Sequence, residues 1–290
     1  MSNLGFANLP AQIHRKSVKK GFEFSLMIMG EAGLGKTTFV NSLFQQNFGE
    51  DKEYKTAEQR MEPNSSIRVV ERELLDQQVK LKLTILDIVG FADAVDNTNT
   101  WSPAYEYIVR KLDEYLEQEG KVKRSKIVDN RVDALCYFIS PNSNGLRPLD
   151  VTALKKLHNL VNIIPLIAKA DTLTKSEIGA LKHKVMEDIF KHNIKIYSMP
   201  FDSDDDDVST TSANVPMPYA VVSSNSKIRV GGKEVYGRQY TWGAVEIEND
   251  EHCDFNTVRN ILVRHGLHDL KERTNDLYED YRAFKLNTAE

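Results

Sequence analysis

The strongest chemical signal in the sequence is the stretch from Gly30 to Thr37, which reads GEAGLGKT. It matches the pattern G-x-x-x-x-G-K-[ST], whose glycines allow several backbone N–H groups to surround a phosphate. The apolar run 24–29 predicts a buried strand before the loop. Residues 38–44 predict a helix after it, and the N-terminus of that helix adds a partial positive charge. This context predicts a nucleoside triphosphate site rather than a glycine-rich turn without a ligand.

The loop and the first turn of the helix supply the predicted phosphate contacts. Lys36 is expected to reach the outer phosphates, and the hydroxyl of Thr37 is expected to bind Mg²⁺. The full predicted set is Gly30, Ala32, Gly33, Leu34, Gly35, Lys36, Thr37 and Thr38.

A second phosphate-linked pattern, D-x-x-G, runs from Asp87 to Gly90 at the end of the predicted strand 81–86. In such a position the aspartate can hold the Mg²⁺ shell, and the glycine N–H can sense a γ-phosphate. The pattern alone arises often by chance. Its position at a strand end, downstream of the Gly-rich loop, makes Asp87 a predicted metal residue and Gly90 a predicted phosphate contact.

The segment Ala168-Lys169-Ala170-Asp171 follows an apolar strand and resembles the [NTA]-K-x-D signature of guanine-specific sites. The carboxylate of Asp171 can accept from both N1–H and the exocyclic amine of guanine, and adenine lacks both donors. The aliphatic stem of Lys169 is expected to lie over the purine face. The alternative is a solvated Lys-Asp pair on the surface.

Strand and helix patterns alternate along the chain and place these motifs at strand ends. The polar segment 47–66 predicts a long loop beside the phosphate site, where loops of that length are often functional. The remaining predicted strands are 67–74, an edge strand paired with 81–86, and then 134–139, 162–168 and 220–222. The remaining predicted helices are 103–118, 149–159 and 176–191, with one or two further helices over 254–284.

Bulk composition limits the class of protein. The chain has 290 residues, 41% hydrophobic content and a net charge of −4, so it can bury a sizeable core and is not marked as a nucleic-acid binder. No apolar run approaches the roughly 20 residues of a membrane-spanning helix, and the N-terminus lacks a secretory pattern. Cys136 and Cys253 form neither a disulfide framework nor a zinc pattern, and Cys136 is expected to be a buried thiol. A cytosolic protein is expected.

Two charged runs have a plain and a functional interpretation. The basic segment 12–20 is either a solvated face or a contact for anionic lipid headgroups or an acidic partner. The acidic run 202–207 lacks the spacing of a calcium loop, so a solvated, mobile segment is expected.

Taken together, the residues resemble the septins, which are filament-forming GTPases, over essentially residues 5–285. The most diagnostic part is GRQYTWG at 237–243 with VEIEN at 245–249, which is similar to the septin unique element that ordinary small GTPases lack. The other stretches that carry the resemblance are GFANLP at 5–10, HRKSVKKGFEF at 14–24, the Gly-rich loop, YFISP at 137–141, VNIIP at 161–165 and AKAD at 168–171.

The resemblance implies an α/β fold, a Ras-like P-loop GTPase domain with a mostly parallel central sheet flanked by helices and a septin-specific C-terminal element. It implies an N-terminal tail and basic helix at 1–22, a GTPase core at 23–225, and the unique element with C-terminal helices at 226–290. Septins commonly continue into a coiled coil, which is expected to be absent or truncated because the sequence stops at Glu290.

The resemblance also implies cofactors, partners and site residues. GTP or GDP and Mg²⁺ are the expected cofactors, with Arg238 near the guanine and Ser223 in the base-contacting loop. Other septins are the expected partners, through a G interface across the nucleotide and an NC interface of terminal helices. Anionic lipids, a cytoskeletal location and the cell cortex or division site are further expectations, and nucleic acid is not. The expected interface residues are Trp242, Asn144, Glu177, His14, Arg15 and Lys16.

The chain departs from the septin pattern at several positions. The D-x-x-G segment reads DIVGFAD, without the usual Pro and with Ala92 where septins have a second Gly. Catalytic septins carry a switch Thr that helps place Mg²⁺ and water; here an ungapped count finds Asn64, with Ser65 and Ser66 adjacent. Asn144 replaces a His, and Ser223 replaces a Gly. Nucleotide binding is expected to survive these changes, whereas slow or absent turnover is expected.

Three functions remain open on this basis. The first is a septin that holds nucleotide mainly to stabilise a filament interface, with slow or absent hydrolysis. The second is a competent GTPase whose turnover switches assembly. The third is a scaffold that needs no nucleotide. No Gln or Arg is obviously poised beside Gly90, which favours the first over the second. The retained Lys36, Thr37, Lys169 and Asp171 argue against the third.

Overall fold

A sheet runs through the centre of the part of the chain that the computed structural model describes, which is residues 21–49, 65–76, 79–121, 127–198, 215–264 and 266–288. Within these ranges the sheet has six strands in the order β2-β3-β1-β4-β5-β6, and only the β2–β3 pair is antiparallel. The strands are β1 (Phe22–Gly30), β2 (Ser66–Asp76), β3 (Val79–Val89), β4 (Ala134–Ile139), β5 (Asn162–Ile167) and β6 (Tyr219–Ala220). The expectation of an α/β fold with a mostly parallel sheet is therefore confirmed.

The central strands are hydrophobic on both faces because helices cover both sides of a parallel sheet. Every residue of β4 and β5 is buried, and β1 is buried from Phe24 onward. Strand β2 lies at the edge of the sheet and has exposed residues such as Val69 and Leu75. The predicted pairing of an edge strand with its neighbour is thus confirmed, and β2 and β3 are longer than expected.

Amphipathic helices connect the strands, and each buries one apolar stripe. In the helix that starts at Lys175, the buried stripe is Leu181, Val185 and Ile189, which are four residues apart. Among the described helices, none is long and apolar enough to cross a bilayer. The helices are α1 (Lys36–Phe44), α2 (Ser102–Gly120), α3 (Pro148–Leu157), α4 (Lys175–Lys191), α5 (Phe255–Arg259), which continues as a π-helix at Asn260–Arg264, and α6 (Leu267–Thr288).

A second, smaller sheet follows β6 and consists of an antiparallel meander of β7 (Lys227–Val230), β8 (Lys233–Tyr240) and β9 (Gly243–Glu246). Sequence patterns alone predicted no strand here. The meander is closely packed at Gly237, where an added Cβ would lie 2.3 Å from the carbonyl oxygen of Val245. The division of the chain into segments 1–22, 23–225 and 226–290 stays a prediction.

Helix α6 is fastened to the sheet by a buried ion pair at the start of β4. The side chain of Asp133 has no exposed surface; it accepts a hydrogen bond from the backbone N–H of Ser25 at 2.7 Å and lies 2.9 Å from Lys271 Nζ of α6. Burial raises the pKa of Asp133 to about 6, although the lysine favours the ionised form. The pair links the last described helix to the first strand.

A buried arginine strengthens the same attachment. Arg131 forms a two-pronged contact with Asp129 and donates to the side-chain oxygen of Asn275 on α6 at 2.7 Å. Its guanidinium carbon lies 4.0 Å from the ring centre of Tyr115 on α2 and 5.1 Å from that of Tyr278 on α6, and the two rings meet edge to face with their centres 4.9 Å apart. The cation therefore contacts aromatic rings of both α2 and α6.

Both cysteines are buried and unbonded. Cys136 lies in β4 as expected, and burial raises the pKa of its thiol. Burial raises the pKa of Cys253 to about 11. Because the thiolate is the reactive form, both thiols are expected to be unreactive, and that of Cys253 donates to the carbonyl oxygen of Ile247 at 3.3 Å.

Candidate functional site

The Gly-rich loop leaves β1 at a point where a side chain would not fit. A Cβ added to Gly30 would lie 2.7 Å from the Cβ of Phe138 on β4. Gly33 and Gly35 have φ values of 80° and 87°, which favour glycine, and an added Cβ at either would meet nothing within 4 Å. The loop therefore presents an open backbone surface of the kind that can surround a phosphate.

The start of α1 and Lys36 give this surface a positive potential. Gly35 is the N-cap residue and no side chain caps the helix, so the first N–H groups of the described helix stay available to an anion. The ammonium of Lys36 donates to the carbonyl oxygens of Gly30 at 2.7 Å and Glu31 at 2.9 Å. These contacts hold the lysine charge over the loop.

The D-x-x-G segment turns directly beside the loop. Gly90 has a φ of 84°, and the backbone N–H of Ala32 donates to Asp93 at 3.3 Å. Ala92, which stands where septins have a glycine, adopts a φ of 61°. A left-handed conformation costs a non-glycine residue about 1 kcal/mol. The turn is thus kept in spite of the alanine, at a small cost in stability.

The two predicted metal residues meet at one small cavity. Thr37 and Asp87 both line it, and a hydroxyl and a carboxylate are oxygen donors that suit Mg²⁺. Arg68 lines the same cavity and is paired with Asp87 in the β2–β3 register, so the two side chains share a face. Thr37 and Asp87 can therefore supply oxygen ligands to a magnesium ion, whereas the rest of the lining is apolar apart from Arg68, which places a competing positive charge beside the carboxylate.

The sequence suggests Asn64, Ser65, Ser66 and Gly90 as candidate catalytic residues, and the structure describes all of them except Asn64. Ser66 begins β2 and pairs with Val89, so it lies next to Gly90, and Ser65 precedes it. Asn64 lies outside the described residues.

The segment Ala168-Lys169-Ala170-Asp171 directly follows β5, as predicted. Lys169 adopts a left-handed φ of 50° and is followed by a short 3-10 turn that contains Asp171. The side chain of Asp171 has no exposed surface, and its Oδ1 has no hydrogen-bond partner among the described residues. A buried acceptor without a donor is costly unless a ligand supplies one. This atom fits the N1–H of a guanine.

The meander of β7, β8 and β9 supplies further contacts to the carboxylate of Asp171. Arg238 on β8 donates from Nη1 to Asp171 Oδ2 and from Nε to the carbonyl oxygen of Ser223, each at 3.0 Å. The hydroxyl of Tyr240 donates to the same Oδ2. The structure therefore brings Asp171, Ser223 and Arg238 together, as the resemblance implied, and adds Tyr240 to the group.

The described interface candidates are at the surface. Trp242 is 68% exposed and its ring is stacked on Tyr240 with a centroid distance of 4.8 Å, so it is not a core residue. Asn144 is also exposed. Glu177 accepts from the backbone N–H of Thr174 at 2.8 Å and closes a capping box at the start of α4. That hydrogen bond lowers the pKa of Glu177. His14, Arg15 and Lys16 lie outside the described residues.

Sequence reasoning missed Tyr240, Asp93 and Arg68. One signal existed for Tyr240: it is two residues from Arg238, and residues two apart on a strand point to the same face. For Asp93 and Arg68 the relevant contacts depend on the bend of a loop and on strand register. No local pattern encodes either of these.

Known proteins with similar sequences and structures are septins. A sequence profile of the family described as Septin matches residues 20–290. Septin-5 of Macaca fascicularis is 48% identical over 285 residues, which cover 97% of this chain and 75% of that protein. Septin-1 of Drosophila melanogaster is 46% identical over 288 residues, covering 98% and 80%. The crystal structure of a septin GTPase domain from Chlamydomonas reinhardtii matches with a TM-score of 0.67 and 27% identity, over 90% of this chain and 98% of that one.

Proposed function

The chain belongs to the septin family of GTP-binding proteins, and from that premise we propose that it is a guanine-nucleotide-binding subunit of septin filaments. The nucleotide serves mainly to stabilise the G interface, with slow or no hydrolysis. The observation that carries the proposal is the buried Asp171, whose Oδ1 faces no donor in the described part of the chain. A guanine N1–H would satisfy this acceptor, and adenine would not.

Each end of the nucleotide has residues to bind it. The backbone of the loop, Lys36 and the start of α1 would hold the phosphates, and Thr37 and Asp87 would hold Mg²⁺. The metal would neutralise charge on the phosphates. Lys169 would cover the purine, and Asp171 would accept from its edge.

Slow hydrolysis is proposed because groups that would assist it are changed. Asn64 replaces the switch Thr that the septin pattern implies, and Arg68 shares a face with Asp87. The positive charge of Arg68 reduces the attraction of the site for a divalent cation. The alternative function is a hydrolytically competent GTPase that switches filament assembly, with Ser65 or Ser66 in place of the threonine.

Membership of the septin family also suggests partners and a cellular location, which we propose for this chain. Other septin subunits would bind through the G interface, which would include Trp242 and Asn144, and through an NC interface of terminal helices. The basic segment 12–20, which contains His14, Arg15 and Lys16, would contact anionic membrane lipids or a partner. A cytoskeletal location at the cell cortex or the division site fits these partners.

The experiment that tests the proposal is to denature the purified protein and identify the released nucleotide by chromatography. Bound GTP or GDP, without adenine nucleotides, is the expected result. A mixture dominated by GDP together with measurable phosphate release would favour the competent GTPase. A site without nucleotide, which also fails to take up added GDP or GTP, would contradict the proposal.

Asn64→Thr is expected to raise the rate of GTP hydrolysis, because it restores the hydroxyl that the septin pattern places near Mg²⁺ and the attacking water. The measurement is single-turnover phosphate release, with Ser65→Thr as the neighbouring control. Fast hydrolysis by the unmodified chain would contradict slow turnover and would point to Ser65 or Ser66 as the substitute.

Trp242→Ala is expected to weaken a G-type dimer about thirtyfold, because truncating an interface anchor typically costs about 2 kcal/mol. Since the ring is 68% exposed, the thermal stability of the monomer should change little. Sedimentation equilibrium measures the association, and nucleotide release should also speed up. Phe190→Ala removes another exposed aromatic side chain, on α4, and is the matched control. If the dimer persists in the tryptophan variant, this chain does not use the G interface, and Asn144 is the first residue to examine.

A further inference from the structure

Arg147 connects two carboxylates that belong to different parts of the fold. It is the N-cap residue of α3, and its Nε and Nη2 donate to Asp150 at 3.0 and 3.2 Å. Its Nη1 donates to the side chain of Glu31, the second residue of the Gly-rich loop, at 3.0 Å. Because the guanidinium is a rigid plane with several donors, one cation can hold both carboxylates at once. The start of α3 is thereby joined to the loop that is proposed to bind phosphate.

The contact with Asp150 fixes the position of the guanidinium. The side chain of Asp150 is only 3% exposed. It also accepts from the backbone N–H of Arg147 at 3.0 Å and from the hydroxyl of Tyr137, a fully buried residue of β4, at 2.6 Å. A buried carboxylate with this many donors has little freedom to move, and the two-pronged contact adds a directional constraint. Arg147 is thus anchored in the interior, whereas the side chain of Glu31 is half-exposed and depends on the arginine for its orientation.

Glu31 is held a second time, through its backbone. The ammonium of Lys36 donates to the carbonyl oxygens of Gly30 and Glu31. Arg147 therefore holds the side chain of Glu31, and the carbonyl oxygen of the same residue is one of the two that keep the lysine charge over the loop. A rotation of the backbone at Glu31 would move both this oxygen and the ammonium that is predicted to reach the phosphates.

We infer that Arg147 is a positioning residue for the phosphate end of the site, and that it acts through the side chain of Glu31 on the Gly-rich loop and Lys36. The inference rests on the proposed function, because it concerns the affinity for the phosphates of a bound nucleotide. If Glu31 acted only through its negative charge, removing it would strengthen phosphate binding, since like charges repel. If Glu31 is the group by which Arg147 holds the loop, removing it weakens binding.

The two roles of Glu31 are separated by measuring the dissociation constant for GDP, by displacement of a fluorescent GDP analogue. In Glu31→Ala we expect GDP to bind about threefold to fivefold more weakly, which is the range for an ion pair of this exposure. In Glu31→Gln we expect an affinity within about twofold of the wild-type value, because the amide oxygen can still accept from Arg147. Glu279→Ala is the matched control: Glu279 pairs with Arg282 at 3.4 Å on α6, so the change in charge is the same and the GDP affinity should stay unchanged.

Arg147→Lys tests whether the arginine acts through Glu31. Lysine presents a single ammonium, so it can stay paired with the buried Asp150 but cannot also hold Glu31 in a fork. We expect about threefold weaker GDP binding from Arg147→Lys in the otherwise wild-type chain. In the Glu31→Ala background the same substitution should cause no further loss, because the group through which it acts is already absent. A loss from general destabilisation would instead occur in both backgrounds.

Two results would overturn the inference. One is a GDP affinity in Glu31→Ala that equals or exceeds the wild-type affinity, which would leave Glu31 with a purely electrostatic role or none. The other is an equal loss from Arg147→Lys in the presence and absence of Glu31. If the wild-type chain binds GDP and rejects ADP while either result is found, the proposed function stands and only the inference fails. If the wild-type chain binds no guanine nucleotide, both fail.

Discussion

Asp171→Asn is expected to weaken GDP binding by about tenfold to a hundredfold, since losing a charged hydrogen-bond partner typically costs about 1.5–3 kcal/mol. The side chain is fully buried, so water cannot replace the lost contact. An amide oxygen turned toward the base places the NH₂ group against Arg238. An amide turned the other way places its NH₂ against the N1–H of guanine. Either orientation brings two donors together.

Calorimetry with GDP and with xanthosine diphosphate measures this prediction and provides its control. Xanthine carries a carbonyl oxygen where guanine carries the amine, so it can accept from the new NH₂ group. The variant should therefore lose much less affinity for xanthosine diphosphate than for GDP. Equal GDP affinity in the variant and the wild-type chain would show that the base is not read by Asp171.

Lys271→Met is expected to lower the free energy of unfolding by about 3 kcal/mol at pH 7.5, because removing one partner leaves a buried charge uncompensated. Asp133 is fully buried and faces this lysine at 2.9 Å. Urea unfolding followed by circular dichroism gives the measurement. Lys285→Met removes the ion pair that Lys285, which is on the same helix as Lys271, forms with Asp113 of α2. Both of those side chains are more exposed, so this control should cost less than about 1 kcal/mol.

The loss of unfolding free energy caused by Lys271→Met should be smaller at acidic pH. The pKa of Asp133 in the folded protein is about 6, above the value of about 4 for an unfolded aspartate. Ionising this carboxyl therefore costs stability as pH rises from about 4 through 6, and Lys271 offsets part of that cost. In Lys271→Met the pKa of Asp133 rises further, so at pH 5 its carboxyl is neutral. A neutral carboxyl gains less from a nearby positive charge, so removing the lysine costs less stability. An equal loss at pH 5 and pH 7.5 would contradict this account.

The parts of the fold and site that could be predicted are those encoded in short contiguous segments. The Gly-rich loop carries its own backbone requirements, and a strand and a helix flank it in the sequence. The AKAD segment likewise follows its strand directly. In each case the pattern is local, so residue types and spacing were enough to place Lys36, Thr37, Lys169 and Asp171 in a loop, turn or helix start that follows a strand, and their roles toward a nucleotide stay predictions.

The parts that could not be predicted depend on distant segments meeting. Residue spacing does not show that Tyr240 would fill one oxygen of a carboxylate 69 positions away. Nor does it show that Arg131 would contact aromatic rings of both α2 and α6. The left-handed φ of Ala92 is a further case, because alanine gives no sign of such a conformation. Tertiary packing selects these arrangements over local preference.

The attachment of the last described helix to the first strand has a consequence for biosynthesis. A nascent chain that has emerged from the ribosome through β9 contains all six strands of the large sheet. It still lacks Lys271 for Asp133, and it lacks Leu270 and Tyr278, which α6 buries against the core. Until α6 is synthesised, the nascent domain exposes apolar surface and a carboxylate meant for the interior. Partly folded chains of this kind are prone to aggregation. Chaperones would therefore be needed most in the interval between the emergence of the meander and that of α6.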